Sequence, residues 1–183
     1  SGLEPINEKG FEAFKLDILL QPGQTIELGP GLSVMALNTP GHTWDFMSYW
    51  IPEKKLLVAS EAVAMYEAAG DLQPEFLVDF DSYIESLEVL KKLGAKILCL
   101  GHHAVFTDAD AVAHIENSFR AVKDYVIMTE KFLVQEKGEV EKVVELVKKV
   151  EWDPRPWPKQ PESAYLLNTW QRVNTVWNRM NRN

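Results

Sequence analysis

One cysteine, Cys99, stands in 183 residues. A single thiol cannot form an internal disulfide, which excludes the stapled folds of small secreted proteins and makes a reducing, cytoplasmic setting the expectation. Long apolar runs are missing too, so no membrane span is expected, and no leader peptide is apparent. Positive charge is scarce: 19 lysines and arginines face 27 aspartates and glutamates, a net charge of −8. That balance argues against nucleic acid or an anionic membrane as partner. Histidine is rare, with four in the chain, and none precedes His42. Internal repeats and low-complexity tracts are absent as well.

What is present is ordinary for a globular chain. Hydrophobic residues make up 46% and charged residues 25%, and the length suffices for one domain with a real core. Thr25 to Leu28 and Leu32 to Leu37 read as strands, separated by Gly29-Pro30-Gly31. Phe46 to Ile51 and Leu56 to Ala59 read as two more, joined by a turn at Pro52 to Lys55. Ser82 followed by Glu85 predicts a capping box opening a helix that Gly94 stops. Lys96 to Leu100 is a short buried strand, with Cys99 as a core filler. Thr107-Asp108 caps a helix reaching about Lys137, and His114 within it reads as a packing or surface residue. After Gly138, Glu139 to Val150 and Ser163 to Met180 are helical, joined by a proline-rich segment whose tryptophans are expected to pack on the domain. Leu3 to Leu20 supports neither strand nor helix decisively. Helix following strand points to an α/β or α+β arrangement with helices covering a sheet.

The chemistry concentrates at strand ends. The run Leu32 to Leu37 leads into Asn38-Thr39-Pro40-Gly41-His42-Thr43. Proline and glycine break the chain there, and the residue delivered on the turn is a histidine, held by a rigid strand but facing out of the sheet. Glu61 follows the strand at Leu56 to Ala59, and Gly101-His102-His103 follows the strand at Lys96 to Leu100. Adjacent side chains on extended backbone point opposite ways, so His102 and His103 are not expected to bind one ion together.

Thr39-Pro40-Gly41-His42-Thr43, then Glu61 in Leu57-Val58-Ala59-Ser60-Glu61-Ala62, then Gly101-His102, resemble the metallo-β-lactamase fold superfamily over Gln24 to Ala113. The resemblance implies metal ligation by His42, Glu61 and His102, with Glu61 standing where the family usually has a shorter aspartate. It implies zinc, as a two-metal site in the intact fold, with iron or manganese as other occupants. It places Tyr66, in the segment Ala62 to Asp81, and His103 in the substrate pocket or behind the ligands. Zinc takes nitrogen and oxygen donors, leaves a position for water in catalytic sites and lowers that water's pKa to near 7. The implied activity is hydrolysis of an ester, thioester, lactone or similar bond in a small molecule.

One departure weighs against all of this. The family's H-x-H-x-D-H signature, which supplies the remaining ligands and the acid that handles water, does not occur in the chain. The sequence therefore resembles the C-terminal half of an αββα sandwich: a half-domain over 1–137 and a helical extension over 138–183 packed on it. Such a half is expected to bury its open sheet face in a homo-oligomer or against the missing N-terminal half. Two other readings stay open. One is a non-catalytic fragment or degenerate relative acting in binding or assembly. The other is a di-iron redox relative, for which no flavin or iron–sulfur motif speaks after Gly101.

Overall fold

The computed structural model describes residues 15–67 and 70–182. The first part of the ambiguous stretch Leu3 to Leu20 lies outside them. The framework is a six-stranded sheet of β1 (Thr25–Gly29), β2 (Leu32–Asn38), β3 (Met47–Ile51), β4 (Leu56–Val58), β7 (Ile97–Cys99) and β8 (Val105–Thr107), in that spatial order. Neighbours are antiparallel except β4 and β7, which run parallel. A parallel pair needs a long crossover. Here it contains a two-stranded hairpin, β5 (Met65–Tyr66) with β6 (Leu72–Gln73), and helix α1 (Phe80–Lys92).

Strand alternation sets the two faces. In β3, Ser48 and Trp50 are buried while Tyr49 is exposed. Register aligns Met35, Trp50, Leu57, Leu98 and Phe106 across one face. Leu57 and Leu98 are wholly buried there, in one core with Leu87 and Leu90 of α1 and Ile115 and Val122 of α2 (Asp108–Gln135). Each such side chain contributes roughly 1.5–3 kcal/mol by leaving water. The opposite row is Ala36, Tyr49, Val58, Cys99 and Val105. Tyr49 and Val105 are exposed there, and Cys99 is half-buried, not a filler of the central core.

Helices α3 (Val140–Glu151) and α4 (Glu162–Met180) pack on each other and on α2. No helix among the described residues is long and apolar enough to cross a membrane.

Several local expectations are corrected. The cap of α1 is Asp79, whose Oδ1 accepts the Ser82 N–H at 2.7 Å, so Ser82 lies inside the helix. Asp79 has extended backbone, which frees its carboxylate to reach back to an unpaired amide. Thr107 does stand at the N-cap of α2, but its side chain makes no capping bond. Strand β8 was not expected, being three residues long. The connection between Ala62 and Asp81 contains the β5–β6 hairpin. Of the two tryptophans in the proline-rich segment, Trp152 is buried and donates its indole N–H to Gln160 O, whereas Trp157 is 73% exposed.

Candidate functional site

The turn after β2 is built around Gly41. Its φ is +130°, a conformation side chains rarely adopt, and a Cβ there would lie 2.5 Å from Tyr83 Cβ and 2.6 Å from Tyr83 Cα. Glycine lets the turn press against α1. The Gly41 carbonyl accepts the N–H groups of Leu77 and Val78 at 2.9 and 3.0 Å, locking the turn to the segment after β6. The next residue, His42, places Nδ1 2.8 Å from Glu75 O. A carbonyl only accepts, so Nδ1 carries the proton and a neutral ring keeps its lone pair on Nε2. Phe46 packs edge-on at 5.2 Å between ring centroids.

Glu61 sits in a 3-10 turn over Ser60–Ala62, directly after β4. Ser60, at φ +49°, occupies the left-handed region and gives its hydroxyl to Glu61 Oε2. The other carboxylate oxygen, Oε1, lies 3.1 Å from His102 Nε2. Because β4 and β7 are parallel, both residues follow strands that end at the same edge of the sheet. Gly101 makes room: a Cβ would stand 2.5 Å from Glu61 Oε1 and 2.6 Å from Ser60 Oγ. His103, at φ +64°, turns the chain away. Its ring centroid is 5.9 Å from that of His102.

These residues share one cavity of about 700 Å³. His42, Glu61, His102, His103 and Tyr66 all line it. So do residues that sequence reasoning did not single out: Glu67, Gln73 and Glu75 from the hairpin and the segment after it, and Pro158 to Pro161 with Asn168 from the C-terminal extension. Glu75 is 5% exposed. Burial pushes its carboxyl up to about 7, while Arg172 and the Gln73 amide pull the other way. Its Oε2 is 3.8 Å from His42 Nδ1, a secondary contact beside the carbonyl bond. One sequence signal was available for this carboxylate: it lies between Pro74 and the apolar pair Phe76-Leu77, in a context that solvates charge poorly.

Behind Glu75 lies Arg172, wholly buried. Burial by itself would lower its pKa, but Tyr125, Glu151 and Glu75 together hold it above its ordinary range. Its signal was also legible. Tyr165, Thr169, Arg172, Val173 and Val176 form the buried stripe of α4, and an arginine in such a stripe demands partners.

The donor chemistry can be tested against a metal. His42 has the arrangement of a ligating imidazole, one ring nitrogen fixed by a carbonyl and the other without a hydrogen-bond partner among the described residues. Glu61 and His102 add a carboxylate and a second imidazole in mutual contact. Among the described residues, however, no group of three or more His, Cys, Asp or Glu side chains is placed to hold an ion. A catalytic zinc needs three protein ligands and a water. The described residues fall short of that set.

Comparison with known proteins gives a consistent picture. The family model of the metallo-beta-lactamase superfamily matches residues 3–102. A hydroxyacylglutathione hydrolase of Hyphomonas neptunium is 28% identical over 131 residues, which are 71% of this chain and 49% of that protein. A protein of the same name from Bartonella tribocorum is 42% identical over 59 residues, 32% of this chain and 22% of that one. The crystal structure of a metallo-beta-lactamase family protein from Thermus thermophilus superposes with a TM-score of 0.59 at 18% identity, covering 91% of this chain and 50% of that one. The chain thus spans about half the length of the first relative and of this structure.

Proposed function

Because this chain belongs to the metallo-beta-lactamase superfamily, we propose that it carries part of the site of a metal-dependent hydrolase that cleaves an acyl bond, whether ester, thioester or lactone. The observation that carries the reading is the shared cavity: His42, Glu61 and His102 line one hollow, from three separate strand ends. The name of the hydroxyacylglutathione hydrolases supports an acyl substrate. In this reading His42, Glu61 and His102 are the metal-side residues. The ligands still needed come from an H-x-H-x-D-H segment outside this chain. Zinc is the first occupant to test, then iron and manganese. Tyr66 and His103 line the path of the substrate.

The chain's own residues do definable work. The Glu75 carbonyl holds the His42 ring in one tautomer. Ser60 and Gly101 hold the Glu61 carboxylate against His102. Pro158 to Pro161 line the cavity on the side of the C-terminal helices.

The test is metal analysis of the chain supplied with an H-x-H-x-D-H segment, alongside turnover of a panel of small acyl esters, thioesters and lactones. Bound metal, with turnover that falls in both H42A and H102A by more than the roughly 10–100-fold typical of supporting residues, is the expected result. Turnover that survives H42A overturns the reading. A second reading, a chain acting through binding or assembly, is favoured by the lack of a three-ligand group among the described residues. A metal-free, inert chain that stays inert when an H-x-H-x-D-H segment is supplied would establish it.

A further inference from the structure

We propose that Arg172 is a positioning residue for His42, so that the C-terminal helix α4 sets the ring at the other end of the chain. Arg172 Nη1 donates to Pro74 O at 3.1 Å, and Nη2 donates to Thr169 Oγ1 at 2.9 Å. The rings of Tyr125 and Tyr165 flank the guanidinium, with Cζ 4.7 and 5.8 Å from their centroids. Further along the same helix, Thr175 Oγ1 donates to Leu77 O at 2.8 Å. The carbonyls of Pro74 and Leu77 bracket Glu75, and the Glu75 carbonyl is the one that accepts the hydrogen bond from His42 Nδ1–H. From the other side, the amides of Leu77 and Val78 hold Gly41 O, immediately before His42. Residues 74–78 are therefore a rail between helix and histidine, tied at both edges.

The choice of arginine supports this. A buried charge contributes little net stability over a well-packed apolar side chain of similar volume, because its desolvation offsets most of the attraction. Leucine or methionine in the stripe of α4 would serve packing alone. Neither would hold a carbonyl at a fixed place. A planar, always-charged donor does so, and its direction is set by the two tyrosine faces.

What the ring does rests on the reading of His42 as a site residue. Where the ring stands does not, and the experiment addresses the ring itself. Nitrogen–proton correlation spectra of the histidine side chains are recorded at pH 8 for the wild-type chain, R172M and T175V. The wild type should show His42 as one tautomer with a Nδ1–H correlation. R172M should lose that correlation, and T175V should weaken it. His114, whose Nε2 is bound to Ala64 O at 2.8 Å, serves as the internal control and should not change. An unchanged His42 signal in folded R172M overturns the proposal. So does loss at His42 and His114 together, which is general loosening. If R172M does not fold, T175V is judged by the same two outcomes. A chain that stays inert when an H-x-H-x-D-H segment is supplied, but whose His42 signal responds as expected, leaves the proposal standing and removes the hydrolase reading. An active chain whose His42 signal is indifferent does the reverse.

Discussion

His102 Nε2 lies 3.1 Å from Glu61 Oε1 across a backbone that has no Cβ at Gly101. The missing atom and the contact are one fact, since a methyl group at that position would occupy the place of the carboxylate. G101A is thus a sharp probe. The backbone there is not left-handed, so alanine brings no conformational strain, only the displacement of Glu61 and Ser60. We expect a stability loss of about 1–3 kcal/mol from overpacking. Turnover with the H-x-H-x-D-H segment supplied should fall by about 10²-fold, the scale on which a misplaced site group acts. Thermal melts and steady-state rates on the same preparation check both.

His114 gives a pH dependence of known sign. It is buried, bonded to Ala64 O and stacked on Phe106 with centroids 4.5 Å apart. Burial holds its pKa below the ordinary value, with the Ala64 bond opposing. The unfolded chain takes up a proton near pH 6.5 while the folded chain resists it. Its stabilising contribution is therefore full above that pH and is lost as pH falls through and below it. Denaturant titrations at about pH 7.5 and 5.5, on either side of that value, should show a smaller difference for H114Q than for the wild type. An equal difference in the two proteins would remove His114 as the cause.

Trp152 and Trp157 should behave oppositely. Trp152 is 8% exposed, with Lys159 Nζ 3.6 Å from its ring centroid, and W152A should cost about 3 kcal/mol or more. Trp157 stands in solvent, and W157A should change stability by no more than about 0.5 kcal/mol. Paired urea titrations distinguish them.

In the row Ala36, Tyr49, Val58, Cys99 and Val105, all but the buried Ala36 are half-buried or exposed on one sheet face. Association through this face, with another copy or with a complementary half, is the expected consequence. Light scattering over a range of concentrations should show it for the wild type, and V105E should weaken it. A monomer at every concentration that also fails to bind a hydrophobic dye would contradict it.

Much of this was readable before any coordinates. Strand β1 announces itself by alternation, and β2 to β4 by apolar or aromatic runs between glycine and proline turns. Strand-tip placement foreshadowed that His42, Glu61 and His102 would line one hollow. Strand β8 and the β5–β6 hairpin were not readable, because strands of two or three residues are too short to show a period. The Asp79 cap was masked by a plausible Ser82–Glu85 pair three residues later. The part played by Glu75 depends on its carbonyl, and backbone groups carry no signature in a sequence. Arg172 was visible as an anomaly in an apolar stripe, but its partner, the carbonyl of Pro74, was not.

The parallel pairing of β4 with β7 has a further consequence. Glu61 and His102 are aligned by the ladder, whatever the chain does between them. The hairpin that bears Tyr66 and Gln73 is an excursion from that ladder and forms a wall of the hollow. It could be lengthened, shortened or exchanged without disturbing the aligned pair. What is admitted and what grips it are, in this architecture, separately adjustable parts.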